Sequence, residues 1–169
     1  MIDVRLVRDL MTVGVATCPA DTPAADIARL LLNTGVEGVV VLHHDGHAVG
    51  MVSQDELVHA YAYDNWQDLT AEAIMREEVV EVPPDIPITA AAQIMEDLGV
   101  RMVFLMHNSE GIRYPAAALS YQHILRHMAA ASEDDLADLG IKASRLSPVE
   151  AFKQKRDAAR RNAPPYYEE

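Results

Sequence analysis

The chain has few of the features that mark several common classes of protein. One cysteine in 169 residues, Cys18, excludes an intramolecular disulfide and any metal site built from several cysteines. Basic residues are scarce: 14 Lys and Arg against 26 Asp and Glu give a formal charge of −12. Because attraction to phosphates needs a basic face, this balance argues against a nucleic-acid-binding protein.

Long apolar runs are also missing. The longest, such as Val39–Leu42 and Met102–Met106, are far shorter than the roughly 20 residues that a membrane-spanning helix needs. No basic, apolar and small-residue leader precedes the first structural pattern. We therefore expect a cytoplasmic protein without a membrane partner.

Sets of residues that would indicate catalysis are absent from the sequence. It contains no nucleophile with a base and an orienting acid, no phosphate-cradling glycine loop and no matched pair of carboxylates. The histidines at His43, His44 and His47 flank a turn and have no acidic or thiol partner at a fixed spacing. We expect neither an enzyme nor a metal site.

What the chain does have is an internal repeat. The pair Leu10–Met11 recurs as Ile74–Met75, and Ala24–Val36 aligns with Ile88–Val100 at the same offset. After a few extra residues near position 112, GMVSQDEL at Gly50–Leu57 aligns with residues 117–124. Pairings of this length in constant order indicate two copies of one unit.

Each copy has the pattern of a β-α-β-β-α unit. A β-branched strand at 13–17 or 79–82 is stopped by proline. In the first copy, Thr22 as N-cap with Pro23 at the first helical position predicts the start of a helix. Gly35 and Gly99 then predict the helix ends, because glycine tolerates the positive φ found there. Two buried strands and a closing helix follow in each copy.

Such a unit is too small to bury both faces of its sheet alone, so we expect the two copies to pack sheet against sheet around a shared core. The predicted class is α+β (α/β), with repeats at 4–65 and 68–131 related by an approximate twofold axis. A helical C-terminal extension follows at 132–169, with helices at 134–139 and 148–161 and a frayed end from residue 163.

These elements resemble the cystathionine-β-synthase (CBS) domain family, in the tandem arrangement called a Bateman module. The resemblance rests on the opening Leu10–Met11 with Ala16–Pro19, the G-h-x-x-h segments at Gly35–Val39 and Gly99–Val103, and the closing signature GMVSQDEL. It implies regulatory binding of AMP, ADP, ATP or S-adenosylmethionine, with or without Mg²⁺ and without a covalent cofactor, in clefts between the copies. It also implies a homodimer formed through helices.

The resemblance assigns roles to specific positions. Main-chain groups of the first strand and of the G-h-x-x-h segment would hold adenine, and the hydroxyl and acid of the closing signature would hold ribose. The candidate residues in the first copy are Thr17, Cys18, Pro19, Val36, Glu37, Gly38, Val39, Ser53 and Glu56. Those in the second are Val82, Val100, Arg101, Met102, Val103, Ser120 and His123. Arg101 would contact phosphate, with Arg76, Arg126 and His127 as further candidates.

Several of these residues have a second interpretation. Ser53 and Glu56 fit a capping box, in which serine and glutamate each bond a free amide of the first turn, as well as they fit a ribose site. Thr17 fits either a ligand contact or a bond to the local backbone. Cys18 lies beside the expected adenine pocket, but nothing in the sequence indicates an environment that stabilises a thiolate, which favours a small apolar filler. The usual aspartate of the closing signature is replaced by Glu56 in one copy and by His123 in the other.

Two functions remain open at this level. In the first, the chain senses an adenosine-containing ligand between the repeats and relays its presence to a regulated protein. In the second, it is a ligand-free dimerisation module whose basic C-terminal helix docks a partner. The missing carboxylate at His123 and the acidic Glu37 favour the second, while Thr17, Ser53, Glu56 and Arg101 favour the first.

Overall fold

The computed structural model describes residues 5–130, 132 and 148–162, and it contains two three-stranded sheets. In chain order the elements are α1 Val7–Leu10, β1 Thr12–Val13, β2 Thr17–Pro19, α2 Ala24–Thr34, β3 Gly38–Leu42, β4 Ala48–Ser53, α3 Gln54–Tyr61, a 3-10 turn Trp66–Asp68, α4 Ala71–Ile74, α5 Ile88–Leu98, β5 Met102–Ser109, β6 Ile112–Ser120, α6 Tyr121–Ala129 and α7 Pro148–Asn162. The predicted α+β class with two copies of one unit is confirmed.

The sheets have strand orders β2-β3-β4 and β1-β6-β5. In the first sheet β2 is parallel to β3, and β3 is antiparallel to β4. In the second sheet the counterpart of β2 is reduced to one parallel bridge between Glu81 and Phe104. The Val82 amide donates to the Phe104 carbonyl at 2.9 Å and holds this bridge. The repeats therefore share a topology but differ in how much of the first strand is paired.

The opening segment of each repeat completes the sheet of the other. The strand predicted at 13–17 is wrong as a single element, because the chain turns at Gly14, whose φ is 89°. Residues before this glycine pair with β6, and residues after it pair with β3. In the same way Arg76 crosses over and bridges Met51 on β4, with amide-to-carbonyl distances of 2.9 Å in both directions. This exchange ties the two repeats together.

The first long helix of each repeat begins after a proline and ends at a glycine. Gly35 and Gly99 have φ of 68° and 61° and end α2 and α5, as predicted. The prediction of Thr22 as N-cap is wrong: Pro23 takes that position, with extended backbone at ψ 144°. Its carbonyl already accepts from the Ile27 amide at 3.1 Å, so this proline opens the helix, while Pro19 ends the preceding strand.

The shared core lies between the two sheets. It contains equivalent residues from both repeats, among them Val40 with Phe104 and Met51 with Ala118. Gly38 and its counterpart Met102 meet directly, since a Cβ on Gly38 would lie 2.9 Å from the Met102 sulfur. Contact between equivalent positions marks the approximate twofold axis.

The C-terminal extension packs on the second sheet through α7. The ring of Phe152 stacks on Tyr114 at 5.7 Å, and Lys155 donates to the Val13 carbonyl at 3.1 Å. The helix predicted at 148–161 is confirmed, while the one predicted at 134–139 and the end from residue 163 lie outside the described residues. None of the helices in the described parts is long and apolar enough to cross a membrane.

Candidate functional site

The twofold arrangement creates two equivalent positions at the seam between the repeats. In each, the turn that follows one repeat's first long helix faces the first turn of the other repeat's closing helix. We call the position between residues 35–38 and the start of α6 the open crevice. Its counterpart, between residues 99–102 and the start of α3, is the bridged crevice. Because the sequences of the two repeats differ here, the two crevices differ in chemistry.

The open crevice encloses a cavity of about 160 Å³. Two segments, Gly14–Ala16 and Gly35–Gly38, form part of its wall, and at their glycines the wall is main chain. The polar and charged side chains on the lining are those of Thr12, Glu37, Ser120, Gln122, His123 and Arg126. The crevice therefore combines exposed backbone with one hydroxyl-imidazole pair and with one charge of each sign.

His123 takes the place of the capping acid at the start of α6. Its Nδ1 accepts from the Ser120 amide at 3.0 Å, and its Nε2 lies 2.7 Å from the Thr12 hydroxyl. Burial lowers the pKa of His123 below the ordinary histidine value, Arg126 lowers it further, and Glu37 opposes the shift. Since Nδ1 accepts, the neutral ring carries its proton on Nε2 and donates it to Thr12.

The bridged crevice is held by ionic contacts. Glu56 accepts from the Ser53 amide at 2.8 Å, and Ser53 accepts from the Asp55 amide at 3.2 Å. These contacts confirm the capping box predicted for Ser53 and Glu56. The second oxygen of Glu56 lies 3.6 Å from Nε of Arg76. Arg76 also donates to the Leu98 carbonyl at 3.3 Å and so spans both walls.

Arg101 forms a second contact across the bridged crevice. Its Nε donates to Asp55 at 2.9 Å, and its guanidinium lies 6.0 Å from the ring centre of Tyr121. In the open crevice the equivalent residue, Glu37, accepts only from the Gln122 amide, at 3.4 Å. The predicted phosphate contact of Arg101 therefore competes with an ion pair that already exists.

The remaining candidate residues fall in two other places. Thr17, Cys18 and Pro19 line a separate cavity of about 570 Å³, together with His43, His44 and Glu72. Burial raises the pKa of the Cys18 thiol, opposed by a hydrogen bond from Thr22, which agrees with its interpretation as an apolar filler.

Four of the five valines assigned to the site are buried in the apolar core. Val39, Val82 and Val103 are fully buried and Val100 is nearly so. Val36, Gly38 and Met102, in contrast, line the open crevice with Ser120 and His123. The structure thus brings together candidates from the G-h-x-x-h segment of one repeat and the closing signature of the other, and it separates them from the β2 residues.

Sequence reasoning missed Thr12 and Gln122, which also line the open crevice. The repeat contains a signal that could have found Thr12. The offset that aligns the two copies pairs Thr12 with Arg76, which was already a candidate contact. The histidines around the first turn make local contacts, including 3.2 Å between His43 and Asp45. Among the described residues no group of three or more His, Cys, Asp or Glu side chains is placed to hold a metal ion.

The CBS domain profile matches the chain twice, at residues 7–63 and 71–130. The CBS domain pair of protein MJ0100, solved with 5′-methylthioadenosine and S-adenosyl-L-methionine, superposes with a TM-score of 0.65 at 20 % identity, over 75 % of this chain and 97 % of that one. The CBS-domain protein ATU1752 from Agrobacterium tumefaciens has a TM-score of 0.65 at 22 % identity, over 73 % and 92 %.

A third similar structure is CBSX2 in complex with AMP, with a TM-score of 0.58 at 18 % identity, over 73 % of this chain and 95 % of that one. At these identities the likeness is one of fold. Among curated proteins, none matches the sequence significantly. The two profile matches together span most of the chain. The chain belongs to the CBS domain family, of which it carries two copies in tandem.

Proposed function

We propose that this chain is a non-catalytic, cytoplasmic regulatory module that binds an adenosine-containing ligand in the open crevice. The observation that carries the proposal is the cavity at the seam, where backbone at residues 35–38 faces Ser120 and His123 across the repeats. Similar CBS domain structures support the ligand class, since one contains 5′-methylthioadenosine and S-adenosyl-L-methionine and another contains AMP.

The charges around the crevice favour a ligand without a polyphosphate. Arg126 is the one arginine that the described part of the chain places on its lining, and Glu37 adds a carboxylate to the same lining. A triphosphate would meet little positive charge and some repulsion, whereas the sulfonium of S-adenosylmethionine would be attracted to Glu37. We therefore rank S-adenosylmethionine, 5′-methylthioadenosine and AMP above ADP and ATP, and assign Mg²⁺ no role in the preferred complex.

The size of the cavity suggests how binding becomes a signal. At about 160 Å³ it is smaller than common small-molecule pockets, which begin near 300 Å³. A nucleoside would fit only if the seam opened, so it would bind a wider arrangement of the repeats more tightly than the present one. A ligand with such differential affinity shifts the equilibrium between the two arrangements. The regulated protein would recognise that shift.

The test is a comparison of ligands by thermal shift and calorimetry. We expect S-adenosylmethionine or 5′-methylthioadenosine to raise the melting temperature more than ATP does, because a ligand specific to the native state adds stability. Ser120→Ala should weaken binding about tenfold, since it removes a hydroxyl from the lining of the crevice. Ser109→Ala, on the exposed end of β5, is the matched control.

An absence of any shift at millimolar concentrations of all five ligands would contradict the sensor proposal. The alternative would then stand, in which a ligand-free module docks a partner through its C-terminal helix. A specific observation favours that alternative: α7 already packs on the second sheet, with Lys153, Gln154 and Lys155 exposed. A partner would meet a basic helix held on a fixed platform.

We also propose that the chain is a homodimer built from its closing helices. Val58 and Tyr61 on α3 are 72 % and 69 % exposed, and Leu125 and Met128 on α6 are 60 % and 73 % exposed. These four residues occupy equivalent positions in the two repeats. Large apolar side chains exposed at matching positions of both helices support an interface with a second copy, which would present the same residues.

A further inference from the structure

The two crevices differ in what joins their walls. In the bridged crevice the guanidinium of Arg76 reaches Glu56 on α3 at 3.6 Å and the carbonyl of Leu98, at the end of α5, at 3.3 Å. The equivalent residue in the open crevice is Thr12, whose hydroxyl lies 2.7 Å from Nε2 of His123. The Arg76 side chain therefore connects the two walls of the bridged crevice. In the open crevice, the Thr12 hydroxyl contacts His123 on α6.

The carboxylate of Glu56 is fully engaged by this arrangement. One oxygen accepts from the Ser53 amide at 2.8 Å, and the other faces Arg76. The Glu56 side chain is only 14 % exposed. If ribose hydroxyls took the place of Arg76, they would leave a partly buried carboxylate without its cation, which is unfavourable.

A second arginine strengthens the same crevice. Arg101 donates to Asp55 at 2.9 Å, whereas Glu37, its counterpart, accepts at 3.4 Å from the main chain of Gln122. Ion pairs as exposed as Arg101–Asp55 are individually weak. Arg76 differs because it donates a hydrogen bond to a backbone carbonyl on one wall and forms an ion pair with a carboxylate on the other, so its removal would release both walls.

We propose that Arg76, through Glu56, closes the bridged crevice to ligands, so that each chain binds a single adenosine-containing ligand, in the open crevice. This inference rests on the proposed function for the identity of the ligand. Arg76 then selects between the crevices, because its guanidinium already occupies the position that a ribose would need. The two repeats become inequivalent although their folds match.

Titration calorimetry with S-adenosylmethionine or 5′-methylthioadenosine as the probe tests the proposal. The wild-type chain should bind one ligand. Arg76→Thr, which introduces the residue found at the equivalent position, should bind two. Arg29→Thr makes the same change at a side chain 70 % exposed on α2 and should still bind one. Circular dichroism and melting curves establish that each variant is folded, and Arg76→Met replaces Arg76→Thr if the latter unfolds.

The reverse pair of substitutions, made in the open crevice, is an independent test. The double variant Thr12→Arg with His123→Glu places the closing pair in the open crevice and should lose binding by at least tenfold. Two ligands on the wild type, or one on both the wild type and Arg76→Thr, would overturn the closure by Arg76 and leave the proposed function intact. No binding by the wild type with one ligand on Arg76→Thr would overturn the proposed function and the single site in the open crevice, and would leave only the closure by Arg76 standing. No binding by either protein would overturn both.

Discussion

At the scale of single residues, the two closing signatures achieve the same backbone geometry with different chemistry. Ser53 with Glu56 forms a reciprocal cap at the start of α3, whereas at the start of α6 the cap is the single bond from the Ser120 amide to His123. A capping interaction of this kind contributes about 1 kcal/mol. The glutamate is negatively charged and attracts Arg76, whereas the imidazole must stay neutral to accept from the Ser120 amide. The cap in the second repeat is therefore sensitive to protons.

We expect acid to destabilise the protein partly through His123. Because its pKa is lowered in the folded state, the unfolded chain binds more protons once the pH falls below the ordinary histidine value near 6.5. The stabilisation is complete above that value and is lost as the pH falls through it towards the lowered pKa. His107, whose pKa is lowered by burial and by Lys153 and Arg156, contributes in the same direction.

Urea denaturation at about pH 7.5 and about pH 5.5 measures this dependence. His123→Asn keeps an acceptor near the position of Nδ1 but does not titrate, so its loss of stability in acid should be smaller than that of the wild type. His59→Gln, on the exposed side of α3, should behave like the wild type. Equal loss in His123→Asn and the wild type would remove His123 from the explanation.

At the scale of elements, the exchange of opening segments depends on how closely two backbones approach. A Cβ on Gly50 would lie 2.6 Å from the carbonyl oxygen of Arg76, which is too close for any real contact. In the second repeat the equivalent residue is Ala117. Its methyl group is accommodated where the strand pairs with Val13. The glycine of the closing signature is thus required where the crossing segment of the second repeat meets β4.

Gly50→Ala should therefore lower the free energy of unfolding by about 1–3 kcal/mol, the usual cost of overpacking a well-packed site. The Arg76 amide, which donates to the Met51 carbonyl at 2.9 Å, should exchange its hydrogen faster in this variant. Ala117→Gly removes a buried methyl without displacing a strand and should leave exchange at Arg76 unchanged. Wild-type stability and exchange in Gly50→Ala would contradict the close approach.

Because the chain contains two copies of one unit, most of these elements could be predicted from the sequence. The glycine positions predicted the C-terminal ends of α2 and α5, because those ends depend on local backbone preferences. The exchange of opening segments was not predictable, since pairing between β1 and β6 joins residues more than 100 positions apart. The Arg76–Glu56 pair depends on that exchange, and this is why the sequence predicted the cap but not the closure of one crevice.

At the scale of the whole molecule, symmetry of fold coexists with asymmetry of charge. Equivalent positions carry Glu37 and Arg101, or Thr12 and Arg76. The same seam is therefore crossed by hydrogen bonds to Gln122 and His123 at one end and by ion pairs at the other. The outer faces of the closing helices keep part of the symmetry: both carry exposed apolar residues at equivalent positions, Val58 and Tyr61 on α3 and Leu125 and Met128 on α6. The repeats thus differ in charge at the crevices, while the surface proposed for dimerisation carries apolar residues in both halves.

This contrast leads to a prediction about assembly. Val58→Asp and Leu125→Asp each place a charge at one of two equivalent positions, and in a symmetric dimer every such substitution occurs twice. Because a charge that loses its water at an apolar interface is costly, each variant should shift the protein from dimer to monomer at micromolar concentration. Light scattering coupled to size-exclusion chromatography measures the mass directly. Ile112→Asp makes the same change on the β5–β6 hairpin, at a residue 36 % exposed, and should leave the dimer intact. A wild-type mass of one chain would refute the dimer, and unchanged dimers in both helix variants would move the interface away from α3 and α6.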